Sequence, residues 1–302
     1  MASELQALSN QLAETVQQAS RGVIAILGRR GTGSSGIAWR ENLIVTSNEG
    51  VRADEGIKLL LPDGRATTAR LRGRDSGTDL ALLEIEAGGL PALNFADESA
   101  VKTGQIAIAV GRTANTGPIA SFGIVSGVSG EWKTWRGGKL DPFVRLDISA
   151  YPTLSGGAAL DSSGNLIGMV STGLSRSSVF AVTRATIERI AGKLSQQGYV
   201  SRGFLGVALQ PVALPPQLRE HLAQDSGIML LGIEPEGPAS LGGLILGDVL
   251  VAADGQALAQ PEALSDLLER TPPGQNVKFK VLRAGVVQEQ EVRIGERPSR
   301  SR

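Results

Sequence analysis

The segment richest in groups that could do chemistry is Asp147-Ile148-Ser149-Ala150-Tyr151-Pro152-Thr153-Leu154-Ser155-Gly156-Gly157, where a serine hydroxyl sits beside two glycines. A serine becomes a nucleophile when a neighbouring base takes its proton, and histidine is the usual base near neutral pH. The whole chain holds one histidine, His221. Any mechanism that needs an imidazole must use His221 or do without it. That residue lies in the polar stretch PPQLREHLAQDSG, where a solvent-facing position is the expectation. Cysteine is absent, which removes disulfides, thiol nucleophiles and thiolate metal sites. No cofactor and no metal are expected. The run Gly31-Thr32-Gly33-Ser34-Ser35-Gly36 fits G-x-G-x-x-G, but a dinucleotide fingerprint needs a helix to follow. Here IAWRENLIVTS reads instead as strand, turn and strand.

The elements that must position these residues follow from periodicity. Leu5, Leu8, Leu12 and Val16 recur at three- and four-residue steps, which predicts an amphipathic helix over residues 1–20. From Val23 to about Val182 short apolar runs (VIAIL, LIVTS, IKLLL, LALLEI, IAIAV, VRLDI, LIGMV, VFAV) alternate with Gly, Asp, Asn and Pro. That spacing predicts a mainly β domain, a barrel or sandwich, over residues 21–200. Ile187, Ile190 and Leu194 restore helical spacing up to a stop at Gly198. A second module, residues 201–298, has strands around GFLGVALQPV, GIMLLGIEP, VKFKVLR and VVQEQEVRI, turns at Asp254-Gly255 and Ala284-Gly285, and a helix over Pro261 to Arg270. The terminal ERPSRSR reads as a frayed tail.

The 302 residues carry 30 basic and 30 acidic side chains, so no net field recruits nucleic acid or an anionic membrane. No apolar run reaches the roughly 18 residues that span a bilayer. Without a basic and apolar leader the sequence as written points to the cytoplasm, or to the periplasm if a leader has been removed.

The segment around Ser155 resembles the nucleophile loop of HtrA-type, trypsin-like serine proteases, and places Ser155 on the nucleophile. Asp75-Ser76-Gly77-Thr78-Asp79-Leu80-Ala81-Leu82-Leu83 is similar to the strand of the family's triad aspartate, which falls on Asp79. Gly33-Ser34-Ser35-Gly36 resembles the early glycine-serine hairpin, and Val45-Thr46-Ser47-Asn48-Glu49-Gly50-Val51 the histidine segment. The resemblance implies a double six-stranded β-barrel followed by a PDZ domain, a small β-barrel with helices. It also implies a homo-oligomer, a trimer in this family, with the N-terminal helix at the interface.

Departures from the pattern shape the functional expectation. Glu49 stands at the family's histidine position. A glutamate carboxyl, with an ordinary pKa of about 4.3, is a weak base for an alcohol and cannot relay a proton to a leaving amine as imidazole does. Thr153 replaces the glycine whose N–H helps build the oxyanion hole, and Leu154 and Ala158 replace the usual Asn and Pro. A β-branched residue resists backbone angles that glycine accepts, and losing one oxyanion donor costs roughly a hundred- to a thousand-fold in turnover. The oxyanion loop Thr153, Leu154, Ser155 and the site Ser155, Asp79, Glu49 are therefore expected to be catalytically impaired. Glu49 then either fills the vacated imidazole space or shares a proton with Asp79. The alternative is a serine endopeptidase with residual or unconventional activity through Ser155.

In the second module Gly203-Phe204-Leu205-Gly206-Val207 resembles the carboxylate-binding loop of HtrA-type PDZ domains, while Gly237-Pro238-Ala239, Gly243-Leu244 and Gly247-Asp248 resemble its GSPA-x-x-AGL-x-x-GD stretch. Phe204, Leu205, Gly206, Val207 and Leu209 are the expected peptide contacts, taking C-termini or unfolded proteins by strand addition.

Overall fold

The computed structural model describes residues 2–28, 33–86, 88–134, 137–175, 177–200 and 203–296. The chain divides into two compact units, Met1–Val200 and Ser201–Arg302.

The first unit opens with α1 (Ala2–Ala19) and continues as β1 (Val23–Ile26), β2 (Ser34–Arg40), β3 (Leu43–Ser47), β4 (Ile57–Leu60), β5 (Ala66–Asp75) and β6 (Leu80–Ile85). These six strands close a barrel in the order β1-β2-β3-β6-β5-β4. Then come β7 (Ile106–Thr113), β8 (Gly117–Ser129), a small hairpin of β9 (Trp132–Lys133) and β10 (Lys139–Leu140), β11 (Phe143–Asp147), β12 (Ala158–Leu160), β13 (Leu166–Ser171) and β14 (Val179–Thr183). The second barrel closes as β11-β14-β13-β12-β7-β8. α2 (Arg184–Gln197) completes the unit and stops at Gly198, whose left-handed φ of 81° suits a residue without Cβ.

Strand alternation explains how two barrels share one body. In β6, Ala81, Leu83 and Ile85 point into the first barrel with Ile24, Ile44 and Leu59, whereas Leu80 and Leu82 point the other way. In β7, Ala107 and Ala109 line the second barrel with Val144, Leu154 and Val170. Ile108 and Val110 meet Leu80 and Leu82 between the barrels, where Met169, Val182, Ile187 and Ile190 join them. Each strand therefore serves two cores through its period of two. The catalytic candidates sit where these barrels abut.

Only half of the apolar stripe on α1 is covered. Leu12 and Val16 pack on the core between the barrels, while Leu5 and Leu8 stay exposed. Of the glycine-rich run, Gly31 and Thr32 lie outside the described residues, but Ser34 to Arg40 is strand and no helix follows it. A pyrophosphate site of the dinucleotide type has no helix N-terminus there.

The second unit contains β15 (Gly203–Phe204), β16 (Val207–Ala213), α3 (Pro216–Leu222), β17 (Ser226–Ile233), α4 (Pro238–Leu241), β18 (Val249–Ala253), β19 (Gln256–Ala257), α5 (Pro261–Arg270), β20 (Asn276–Arg283), β21 (Val286–Arg293) and β22 (Gly295–Glu296). Its main sheet runs β16-β17-β18-β20-β21, with β19 on β18 and β15 on β22. Phe279, Val277, Leu250, Ile228 and Leu264 fill the core. Both expected turns carry two residues in the left-handed region, Asp254-Gly255 at 44° and 79° and Ala284-Gly285 at 49° and 83°. The tail from residue 297 lies outside the described residues.

Candidate functional site

Asp79 is fully buried at the entry to β6 and takes φ = 54°, uncommon for a residue with a side chain. The turn that delivers it is built by Asp75, whose carboxylate accepts the N–H groups of Gly77 and Thr78 and the Thr78 hydroxyl. Three hydrogen bonds then fix the Asp79 carboxylate from outside that turn. Ser47 donates its hydroxyl at 2.8 Å, Ser171 at 2.6 Å, and the backbone N–H of Glu49 at 3.1 Å. Burial pushes the Asp79 pKa up, the three donors oppose that rise, and the nearby Glu49 charge adds to it.

Glu49 sits in a single helical turn, Asn48–Gly50, just after β3. A Cβ built on Gly173 would lie 2.8 Å from both the Glu49 carboxyl carbon and the Asp79 Oδ2. Both carboxyls therefore approach one point beside Gly173. Glu49 itself remains exposed while Asp79 is sealed.

Ser155 follows a single helical turn, Pro152–Leu154, and is 5% exposed. Its Oγ has no hydrogen-bond partner among the described residues. Its N–H donates to the Pro152 carbonyl at 3.2 Å, and the Leu154 N–H donates to the Tyr151 carbonyl at 2.9 Å. Amides bonded within a turn are not aimed at a substrate oxyanion, whose binding needs donors preorganised toward the carbonyl under attack. Leu154 is fully buried among the second barrel's core residues and anchors the turn. Gly156, with φ = 82°, crosses so close to the first barrel that a Cβ would lie 2.1 Å from the Ser35 carbonyl oxygen and 2.9 Å from the Ser47 nitrogen. The fold thus brings Ser155 to the edge of the Asp79 cluster, next to Ser47. His221, by contrast, lies on α3 of the other unit.

Sequence reasoning passed over Ser47, Ser171, Gly173 and Ser35. They come from four separate strands or loops, and only closure of the barrels assembles them around Asp79 and Ser155.

In the second unit Leu205 is buried, Phe204 and Val207 are half-buried, and Gly206 takes φ = 74°. The Leu205 carbonyl accepts from Ala239 and the Gly206 carbonyl from Glu234. In a trans peptide the N–H opposes the carbonyl, so the Gly206 and Val207 N–H groups point away from those partners. β16 ends the sheet, leaving its outer edge unpaired by any described strand, and α5 approaches it. Leu209 with Val207 on β16, and Ala263 with Leu268 on α5, are half-buried over the same core. The unpaired edge of β16 thus lies beside the Phe204 to Val207 loop and α5.

Residues 34–169 match the trypsin-like peptidase domain family and residues 231–283 the PDZ domain family. A probable periplasmic serine endoprotease, DegP-like, from Halomonas elongata is 34% identical over 277 residues, 89% of this chain and 57% of the relative. One of the same description from Hahella chejuensis is 32% identical, over 89% of this chain and 58% of the relative. The chain therefore spans somewhat over half the length of these curated relatives. Among solved structures, the HtrA-type protease AlgW with tripeptide is 31% identical with a TM-score of 0.70, covering 95% of this chain and 98% of that one. AlgW with decapeptide gives 29% and 0.73, covering 95% and 99%. With two closed six-stranded barrels, a PDZ unit and these relatives, the chain belongs to the HtrA-type serine proteases.

Proposed function

We propose that this chain is an HtrA-like protein that has lost proteolysis and kept peptide binding, working as a scaffold or holdase for peptide C-termini or unfolded proteins. The observation that carries the reading is Ser155, whose buried hydroxyl has no hydrogen-bonding base and whose N–H is spent on Pro152. Glu49 stands where a proton relay would have to be, close to another carboxylate. A serine with no base, and with its own N–H turned to Pro152, keeps little of the usual rate enhancement. Peptide binding is supported by the β16 edge and the loop Phe204 to Val207, and by the peptides present in the AlgW structures.

The relatives are named serine endoproteases, which favours a second reading in which Ser155 retains slow turnover. Casein incubated with the full chain and with Ser155→Ala separates the two. Equal, background cleavage by both supports the first reading, and cleavage lost in the variant supports the second. A titration with free C-terminal peptides ending in apolar residues should saturate, and amidated peptides should bind at least about tenfold more weakly, because the carboxylate is the group the loop captures.

We assign the periplasm rather than the cytoplasm as the working compartment, on the description of the relatives. No helix among the described residues is long and apolar enough to cross a membrane. Self-association is supported by the apolar face that α1 and β8 leave open, Leu5, Leu8, Phe122 and Ile124.

A further inference from the structure

Arg112 is a buried guanidinium that neither the catalytic reading nor the peptide groove uses. It lies on β7 at 8% exposure, and its Nε and Nη2 donate to the carbonyls of Val23 and Ser20, each at 2.7 Å. Arginine stays charged, and a charge taken from water persists only where its donors are satisfied. Those two carbonyls belong to the short segment that follows α1.

The same residue reaches the nucleophile loop through its backbone. The Arg112 N–H donates to the Ser35 Oγ at 2.8 Å, and the Ser35 hydroxyl donates to the Thr153 carbonyl at 2.6 Å. Because one lone pair of Ser35 Oγ is taken by an N–H, its single proton has one direction to go, and the chain of donors is fixed. Ser35 also donates its own N–H to the Ser155 carbonyl at 2.9 Å. One fully buried serine thus grips the loop on both sides of Leu154. Gly111 lets it do so, since a Cβ there would lie 2.8 Å from Ser35 Oγ and 3.0 Å from the Thr153 oxygen.

We propose that Ser35 and Arg112 are positioning residues that couple the seating of residues 20–23, at the base of the N-terminal helix, to the conformation of the nucleophile loop 152–155. Anything that pulls on α1, including a partner held by its exposed leucines, then acts on the turn that carries Ser155.

Amide hydrogen exchange on the full chain tests this without requiring turnover, so proteolysis by Ser155 and failure of the coupling would be separate results. Arg112→Met leaves the loop's own bonds in place but removes both guanidinium contacts. It should speed exchange at Gly22 and Val23 and, at a distance, at Leu154 and Ser155, by about tenfold, the effect of one hydrogen bond. Ser35→Ala should speed Leu154 and Ser155 by about as much. Ile190→Val, a deletion elsewhere in the core between the barrels, should leave the loop's exchange relative to the barrel strands unchanged. Loosening confined to residues 20–23 in Arg112→Met, or a loop response matched by Ile190→Val, would overturn the proposal. If Arg112→Met does not fold, unchanged exchange at Leu154 and Ser155 in Ser35→Ala overturns it alone.

Discussion

Under the proposed loss of proteolysis, Glu49 and Thr153 act by different physical routes, and single repairs should therefore disappoint. A histidine at position 49 would restore a base beside Asp79, yet the Ser155 N–H would still face Pro152. Glu49→His alone should give casein turnover near background. Glu49→His with Thr153→Gly should exceed it by roughly a hundred-fold or more, the value of one oxyanion donor. Robust turnover by the single variant would show that the loop opens readily around Thr153. Asp79 makes a prediction about stability. Its folded pKa lies above the ordinary 3.8 because burial and the Glu49 charge disfavour the anion. The folded state then holds a proton that the unfolded state has lost, so stability falls as pH rises from about 3.8 through the folded value. Asp79→Asn should flatten that decline in thermal melts as pH rises above about 3.8, leaving the chain less sensitive to pH than the parent. An unchanged slope would mean that the Asp79 anion is better satisfied than its surroundings indicate.

At the scale of elements, the turn carrying Ser155 is held by Gly156 and Leu154 more than by Ser155 itself. Gly156→Ala forces a Cβ toward the Ser35 carbonyl at a left-handed φ, which should cost more than about 3 kcal/mol by denaturant melts. The same substitution at Gly130, where a Cβ meets nothing within 4 Å, should be nearly neutral. In the second unit Phe279→Ala should cost about 3–5 kcal/mol, since its ring is fully buried. The elements that sequence reading found most easily share one property: Leu43–Ser47, Leu80–Ile85 and Leu166–Ser171 are buried on both faces and read as apolar runs. β5 and β8 escaped it because they are long, half-exposed and rich in Arg, Ser and Gly, with burial that changes along the strand. Their pairing with β6 and β7 supplies the order that their composition lacks. Candidates could be proposed where a short motif carried them, as at Asp79, Ser155 and Gly203 to Val207. The site was illegible where closure of the barrels assembled it, as at Ser47, Ser171 and Gly173, and no local spacing marks those three as neighbours.

For the whole molecule, the proposed function rests on a protease unit without proteolysis and a PDZ unit that still binds peptides. The protease unit keeps both barrels and a packed core between them, so the proposed loss of proteolysis need not loosen the fold. The PDZ unit keeps its edge strand and its glycine loop. Self-association belongs to this scale too. Under the proposed self-association, Phe122→Asp with Leu8→Asp places charge on the exposed apolar residues of α1 and β8, and sedimentation should show smaller species than for the parent chain, with the folded spectrum intact. An unaltered sedimentation profile would move the interface elsewhere. Whether Ser155 is activated is read by fluorophosphonate labelling, which reports an activated serine without needing a cleavable substrate. The parent chain should label no more than Ser155→Ala, while Glu49→His with Thr153→Gly should label well above both. Labelling of the parent that disappears in Ser155→Ala would contradict it.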